Sequence, residues 1–170
     1  MSDPQLAIRP GRADDAEVLV DMIRELAEYE SLGDHARATP KGLRAHLFGP
    51  TPFAEAVVAE VDGEPVGFAI FFPTFSTFRG EPGLYLEDLF VRQAHRGRGI
   101  GRALVATLAR LAVDRGCGRL EWSVLDWNAP AIGFYRALGA RPMDDWTVNR
   151  LDDEALERLA ASLPRGAAAR

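Results

Sequence analysis

The order of helical and strand-like segments predicts an α/β (α+β) fold: a mixed central β-sheet of about six or seven strands with helices on both faces. Apolar residues recur at helical spacing in some segments and alternate in others, in the order β-α-α-β-β-β-α-β-α-β. This order is neither a row of hairpins nor a regular βα repeat, so parallel and antiparallel neighbours are expected in one sheet. With 170 residues, 47% of them hydrophobic, the chain is long enough for one core.

The segments expected in the first half are a strand at 6–9, a helix that begins at Asp14 and Asp15, a helix at 40–48, and a hairpin of strands 54–61 and 66–75. Those of the second half are a loop at 76–83, strands at 84–91, 120–125 and 146–151, and helices at 99–115, 130–138 and 152–163. Strands 84–91 and 120–125 are expected to be parallel, because a helix joins them. We expect one domain over 1–163 and a flexible tail at 164–170.

Composition excludes several classes of function. A formal charge of −5 and a pI near 5.2 argue against nucleic acid as a partner. Cys117 is the single cysteine, and the three histidines have no motif spacing, so neither a disulfide nor a metal site is expected. No apolar run approaches the roughly 18 residues of a membrane span, and the N-terminus lacks a signal-peptide core. These features predict a cytoplasmic protein with no membrane partner.

A glycine-rich turn with arginines follows the strand at 84–91 and precedes the long helix. Glycines allow backbone N–H groups to approach phosphate oxygens, and a helix N-terminus adds unpaired donors and partial positive charge. Arginine adds forked donors. The turn therefore predicts a diphosphate site, although solvated arginines on an ordinary turn are the alternative. The glycines are Gly97, Gly99 and Gly101, and the arginines are Arg92, Arg96, Arg98 and Arg102.

A second dense segment spans residues 127–140. Asn128 followed by Pro130 is typical of a helix start, which by itself is a sufficient explanation for the asparagine. Tyr135 and its neighbour Phe134 have an ordinary alternative as core aromatics.

Together the two segments resemble the GNAT superfamily of N-acetyltransferases. Arg96-Gly97-Arg98-Gly99-Ile100-Gly101 fits the acetyl-CoA pyrophosphate loop of that family. Asn128-Ala129-Pro130-Ala131-Ile132-Gly133-Phe134-Tyr135 fits its second cofactor-contacting motif. Residues 85–91 and 25–30 are similar to the branch of the diamine (spermidine/spermine) and thialysine acetyltransferases. The resemblance implies the GNAT fold, acetyl-CoA as co-substrate, a small-molecule primary amine as acceptor, and a homodimer.

The resemblance also implies residue roles. Tyr135 would be the general acid that protonates the leaving thiolate. Glu87 would take the amine proton through water, or would bind the amine as a charge without a base role. The residues implied to bind acetyl-CoA are Leu89, Phe90, Val91, Arg96, Gly97, Arg98, Gly99, Ile100, Gly101, Arg102, Asn128, Pro130, Ala131 and Tyr135. Within that set, Arg96 has an alternative role as a brace for the loop.

A cationic acceptor favours carboxylates and aromatic faces around it. Glu121 interrupts a strand that is predicted to be buried, where an unpaired carboxylate is costly. The loop at 75–80 lacks the acidic residue of the diamine enzymes and adds Arg79, so a short amine or a thialysine-like amino acid is as plausible as a long polyamine. The candidate acceptor-binding residues are Tyr29, Glu30, Glu87, Asp88, Glu121, Asp144 and Trp146.

Two other functions remain open at this point. Gly99-Ile100-Gly101 with Glu121 further along resembles part of the fingerprint of a nucleotide-dependent oxidoreductase, although Leu104 replaces its third glycine. A non-catalytic acyl-CoA sensor would use the same pocket as the acetyltransferase and would differ only in chemistry.

Overall fold

The computed structural model describes residues 5–164 and contains five strands and five α-helices. The strands are β1 (Leu6–Pro10), β2 (Glu55–Val61), β3 (Glu64–Ser76), β4 (Glu81–Val91) and β5 (Leu120–Trp122). The helices are α1 (Ala16–Tyr29), α2 (Pro40–Leu47), α3 (Ile100–Asp114), α4 (Ala129–Ala137) and α5 (Asp153–Ala161). Short 3₁₀ turns occupy 13–15, 33–35 and 93–95. None of the described helices combines the length and apolar character that crossing a membrane requires.

The five strands form one sheet in the order β1-β2-β3-β4-β5. Neighbours from β1 to β4 are antiparallel, whereas β4 and β5 are parallel. The helix α3 makes the crossover connection that the parallel pair of β4 and β5 needs. The predicted mixed sheet and the predicted parallel pair are both confirmed.

Helices cover both faces of this sheet. On one face, α3 places Ile100, Leu104 and Leu108 one turn apart against the sheet, and all three are buried. On the other face, Leu19 and Met22 of α1 pack with a second set of strand residues, and α2 adds partly buried leucines. Strand residues alternate between the two clusters because successive side chains point to opposite faces. We call the two sides the α3 face and the α1 face.

The strand β4 contains a β-bulge. Ile70 and Phe71 are adjacent on β3, yet they pair with Asp88 and Leu86, so Glu87 is an extra residue. Leu86 packs on the α3 face and Phe90 packs on the α1 face, although their spacing would place both on one side of a regular strand. The bulge therefore reverses which residues of β4 face α1.

The predicted strand at 146–151 is wrong. Residues 141–150 are irregular, and Trp146 and Val148 are 71% and 79% exposed. The segment has β-forming residues, but β propensity measures fit to a paired and half-buried surface, and none of the described strands pairs with it. The sheet accordingly has five strands rather than six or seven. The loop predicted at 76–83 is also shorter, since β3 and β4 continue into it and leave a tight turn.

The chain falls into two compact units, Met1–Ala129 and Pro130–Arg170. The first unit contains the whole sheet and α1 to α3. The second contains α4 beyond Ala129, an irregular segment and α5. The single domain over 1–163 stays a prediction. Of the predicted tail at 164–170, residues 165–170 lie outside the described residues.

Candidate active site

The glycine loop, residues 96–102, presents a run of unpaired backbone donors. It leads from the end of β4 into the first turn of α3, where Gly97 and Gly99 have φ of 75° and 79°. Left-handed φ values are accessible to glycine at little cost. Within residues 5–164, no carbonyl or side chain accepts a hydrogen bond from the N–H groups of Gly97 to Arg102. This concave run at a helix N-terminus is the geometry that binds phosphate groups.

The arginines near the glycine loop have different partners. Arg92 donates from Nε to Glu25 Oε1 (3.1 Å) and from a terminal nitrogen to the Pro65 carbonyl (3.1 Å). Arg96 donates from Nε to the Val91 carbonyl (2.8 Å), and its guanidinium lies 4.7 Å from the centre of the Tyr29 ring. These contacts correspond to the bracing role that the sequence left open for Arg96.

Arg98 and Arg102 are exposed and lie within the loop itself. A terminal nitrogen of Arg98 lies 3.3 Å from His95 Nδ1. Because arginine can only donate, Nδ1 is the acceptor in this contact. Arg102 forms no ion pair or hydrogen bond through its side chain among the described residues. Two of the four arginines are thus free to meet an anion, and the other two hold the loop against α1 and β4.

One edge of β4 is unpaired next to the glycine loop. On its β3 side, β4 pairs as far as Val91. On its β5 side, pairing covers only Leu84 to Leu86, after which β5 ends at Trp122. The backbone groups between Glu87 and Val91 that point away from β3 therefore face the space beside the loop, except the Val91 carbonyl, which accepts from Arg96 Nε. An extended amide chain can add to such an edge.

A small cavity of about 180 Å³ opens on the α1 face. Asp88 of β4 and Glu30 at the end of α1 supply two carboxylates, and His35 supplies an imidazole from the 33–35 turn. We call it the acidic cavity. Its apolar wall consists of Ile23, Leu26, Ala27, Leu32 and Ala36.

The acidic cavity disfavours the ionised form of its own two carboxylates. Burial raises the pKa of Asp88, and the nearby negative charges of Glu87 and Glu30 raise it further, to about 6. Burial likewise raises the pKa of Glu30. Within the described residues, neither carboxylate receives a hydrogen bond or a cation. A cationic group in the cavity would relieve this repulsion, as an amine acceptor would.

Comparison with known proteins identifies the family. The model of the Acetyltransferase (GNAT) family matches residues 19–140. The chain belongs to the GNAT family.

Two relatives support the assignment. A thialysine N-epsilon-acetyltransferase of Bos taurus is 40% identical over 164 residues, which cover 90% of this chain and 96% of that protein. The L-ornithine N5-acetyltransferase NATA1 of Arabidopsis thaliana is 39% identical over 112 residues, 66% of this chain and 46% of that protein. Among solved structures, an integron cassette protein from the V. cholerae mobile metagenome has a TM-score of 0.79 at 28% identity, over 92% of this chain and 98% of that one. The predicted GNAT fold and N-acetyltransferase class are confirmed.

Other residues that the GNAT resemblance singled out have varied surroundings. Tyr29 lies against Arg96, and its ring centre is 6.3 Å from that of Trp127. Glu87 is exposed at the bulge. The expectation that Glu121 lies in a buried strand is wrong, because its side chain is 37% exposed, and its carboxylate pairs with Arg119 at 2.6 Å. Arg119 directly precedes β5 and lies two residues before Glu121, so the two side chains meet and the ion pair explains how the strand tolerates the charge.

The second GNAT motif starts at a helix boundary. Asn128 is buried, and its backbone N–H donates to the Leu125 carbonyl (2.8 Å) directly before α4. In the second unit, Pro130, Ala131 and Tyr135 lie on α4, and the Tyr135 ring centre is 5.1 Å from that of Phe134. Asp144 and Trp146 are exposed in the irregular segment of the same unit.

Sequence reasoning missed two contributors. His35 falls in a polar stretch that reads as an ordinary loop, and its place in the acidic cavity depends on how the 33–35 turn folds against α1. Arg92 reads as one more loop cation, whereas it ties the end of β4 to α1. His35 belongs to no motif, so no local signal in the sequence identifies it. Arg92 is counted among the arginines of the glycine-rich turn, but its contact with α1 cannot be read from that pattern. Among the described residues no group of three potential metal ligands occurs.

Proposed function

We propose that this protein transfers an acetyl group from acetyl-CoA directly to a primary amine of a small molecule. The acceptor class is a diamine, a polyamine or a thialysine-like amino acid, and both substrates are bound together during transfer. GNAT membership supports acetyl transfer to an amine, and the names of the thialysine and ornithine relatives support a small acceptor. The chain's single cysteine lies outside both motifs, which favours direct transfer over an acyl-enzyme.

The residues of the donor site fit coenzyme A. The unpaired N–H groups from Gly97 to Arg102 suit its diphosphate, and the side chains of Arg98 and Arg102 add positive charge. The unpaired edge of β4 at Leu89, Phe90 and Val91 suits the amides of the pantetheine arm. Bound there, acetyl-CoA supplies a thioester carbonyl that an amine can attack. By the resemblance, Asn128, Pro130 and Ala131 border the same arm.

The acidic cavity suits the acceptor. Its volume of about 180 Å³ is below the roughly 300–1,000 Å³ of sites for drug-sized ligands, so a short alkylamine is favoured. Its apolar wall can cover methylene groups while Glu30 and Asp88 attract ammonium groups. Glu87, exposed beside the cavity residue Asp88, can guide the cation. Glu121 is a weaker candidate because Arg119 already neutralises it.

Transfer also needs a proton for the departing sulfur. The resemblance assigns this to the phenol of Tyr135. A phenolic O–H is a hydrogen-bond donor and can pass its proton to a thiolate. This role rests on the motif match at residues 128–135.

The coincidence of a free donor loop with a cavity of unpaired carboxylates carries the proposal. We test it by incubating the protein with acetyl-CoA and a panel of amines, and by following free thiol release and acetylated product by mass spectrometry. We expect product with putrescine, spermidine, thialysine or ornithine. Acetylation of peptide N-termini or aminoglycosides alone would contradict the proposed acceptor class. Coenzyme A binding without thiol release for any amine would favour the sensor. The oxidoreductase alternative loses support, since the loop follows β4 rather than a first strand.

A further inference from the structure

The aromatic ring of Tyr29 lies where the glycine loop meets α1. The guanidinium of Arg96 lies 4.7 Å from the centre of this ring and 5.6 Å from the centre of the Phe90 ring. Its Nε donates to the Val91 carbonyl (2.8 Å), which fixes the same side chain at the end of β4. Tyr29 therefore ties the C-terminal end of α1 to the residue that directly precedes Gly97.

A second contact ties α1 to the same segment of chain. Arg92 donates from Nε to Glu25 Oε1 (3.1 Å), and Glu25 lies four residues before Tyr29. Residues four apart share one side of a helix, so both ties come from one stripe of α1. Arg92 and Arg96 in turn flank the 3₁₀ turn at 93–95, which leads from β4 to the glycine loop. This stripe of α1 holds the entry to the loop at two points.

A different stripe of α1 forms part of the acidic cavity. The residues that line the cavity from this helix and its end recur at the spacing of one helical side, and they are Ile23, Leu26, Ala27 and Glu30. Tyr29 is absent from the lining and is 41% exposed. One helix of 14 residues thus bears both the loop ties and a wall of the proposed acceptor site. A shift of its last turn changes both.

We propose that Tyr29 is a positioning residue that couples the two substrate sites. Its ring holds Arg96 and the glycine loop in the form that binds coenzyme A. Donor binding in turn orders the end of α1 and raises the affinity of the acidic cavity for the amine. This inference rests on the proposed acetyltransferase function, and it gives Tyr29 a role other than contact with the acceptor.

The position of Tyr29 at the helix end gives the coupling a physical basis. Tyr29 is the last residue of α1, and helix ends fray. A substrate that binds first orders this turn, so the second substrate bears less of the entropy cost of ordering it. Such coupling is reciprocal, because each ligand changes the affinity for the other by the same factor. The effect of the amine on coenzyme A binding therefore measures it.

The test is the Kd of coenzyme A by calorimetry, without amine and at saturating thialysine or putrescine. Coenzyme A carries no acetyl group, so no turnover occurs. We expect the amine to tighten coenzyme A binding about fivefold or more in the wild type. Tyr29→Leu should weaken coenzyme A binding about fivefold without amine and bring the coupling factor to about one. Tyr29→Phe keeps the ring and should retain both wild-type values.

Hydrogen exchange follows the same coupling along the chain. Coenzyme A alone should slow the exchange of the amides of residues 26–32 in the wild type and in Tyr29→Phe, but not in Tyr29→Leu. A ring that only stabilises the fold would not make this protection depend on the ligand. Adding Tyr29→Leu to Arg96→Gln should change the affinity for coenzyme A little further, because the two residues act through one contact.

Glu28→Gln is the matched control on α1. Glu28 is exposed, lies outside the cavity lining and contacts none of the loop arginines among the described residues. The variant should keep the wild-type Kd and coupling factor. Far-UV circular dichroism should show wild-type helix content in Tyr29→Leu, since leucine is a good helix former.

The outcomes are distinct. If Tyr29→Leu raises only the KM of the amine and leaves coenzyme A binding unchanged, Tyr29 is an acceptor ligand and the proposal is overturned. It is also overturned if the amine leaves the Kd of coenzyme A unchanged in a wild type that acetylates that amine, or if Tyr29→Phe loses as much as Tyr29→Leu. If the wild type binds coenzyme A but acetylates no amine, the proposed function itself fails and the coupling fails with it.

Discussion

The partner of each arginine decides whether that residue braces the glycine loop or is available to a ligand. Four guanidinium groups surround the glycine loop, yet Arg92 is held by Glu25 and Arg96 by the Val91 carbonyl. Arg98 and Arg102 are exposed and make no such bracing contact with α1 or β4 among the described residues. The same side chain therefore braces the site in two positions and offers charge to a ligand in two others. Substitution of the two exposed arginines would weaken donor binding, whereas substitution of Arg92 would loosen α1.

Tyr135→Phe tests the proposed general acid. Removing the phenolic hydroxyl should lower kcat about 10²-fold, because the thiolate then leaves without a positioned proton. Stopped-flow or steady-state assays of thiol release measure the change in kcat. Tyr85→Phe is the matched control, since its hydroxyl meets Ser123 Oγ at 2.7 Å outside both motifs, and it should retain turnover. Wild-type turnover in Tyr135→Phe would remove this residue from the mechanism.

At the scale of elements, three features of β4 and its C-terminal end form the candidate site. The bulge within the strand turns Asp88 towards α1, the short pairing with β5 frees one edge, and the glycine loop leads into α3. Each feature interrupts regular structure at a place where a ligand group can bind. A fully paired and regular β4 would be more stable but would offer neither an edge nor a cavity carboxylate.

Gly99→Ala tests the loop conformation. At φ of 79° a side chain costs about 1–2 kcal/mol, so the loop should shift and its N–H groups should lose alignment. We expect the Kd for coenzyme A to rise about tenfold by calorimetry. Gly63→Ala is the control, because Gly63 has φ of 84° in the turn between β2 and β3. Gly63→Ala should lose similar stability and keep wild-type affinity for coenzyme A. Equal affinity losses in both variants would contradict the role of the loop.

A charge cluster joins β1, the 13–15 turn and β2. Arg9 donates to both Asp15 carboxylate oxygens (2.7 and 2.8 Å) and to Glu60 (2.8 Å). The hydrogen bonds from Arg9 lower the pKa of Asp15, aided by the backbone N–H of Arg12. A carboxyl with a lowered pKa in the folded state stabilises the fold above its ordinary value of 3.8.

Asp15→Asn should therefore reduce the free energy of unfolding by about 2 kcal/mol at pH 7 in urea titration. The difference in unfolding free energy between variant and wild type should shrink as the pH falls through the lowered pKa of Asp15. The wild-type carboxyl is then protonated and uncharged, like the asparagine. Asp14→Asn, at the exposed neighbouring position, should change little. A difference that stays constant down to acid pH would show that the charge of Asp15 is not responsible.

On the scale of the whole molecule, an acidic protein carries a local basic loop. The net charge of −5 attracts cationic acceptors, while the arginines of the glycine loop reverse the sign where phosphates would bind. The two substrates of the proposed reaction thus meet fields of opposite sign on one chain.

The resemblance also implies a homodimer, which we keep as a prediction. Light scattering at micromolar concentration should give twice the chain mass of 18.6 kDa. Exposed aromatic residues at the turn between β3 and β4, Phe75 and Phe78, are 63% and 95% exposed and are consistent with a covered surface in solution. A mass of one chain throughout a dilution series would contradict the dimer.

Prediction from sequence succeeded for local features and for the parallel pair of β4 and β5, and it failed for the pairing of the segment at 146–151. The segments that became β1 to β4 and the five helices were located within a few residues, because periodicity and turn residues are read from neighbours in the chain. The strand expected at 146–151 failed because a strand needs a partner, and the segment itself does not specify one. The expected burial of the strand around Glu121 failed because the cover over a strand comes from elements elsewhere in the chain, whereas its ion pair with Arg119 is local.

The sequence alone determined the glycine loop and the membership in an acetyl-transferring family. Glycines between a strand and a helix impose their geometry locally, whatever surrounds them. Only the tertiary structure decided which carboxylate enters the acidic cavity. Asp88 reaches the α1 face because β4 bulges against β3, and His35 reaches the cavity because the 33–35 turn, a few residues beyond α1, folds back against that helix. The meeting of Asp88 with Glu30 and His35 depends on the register and packing of segments far apart in the chain, which no local pattern encodes.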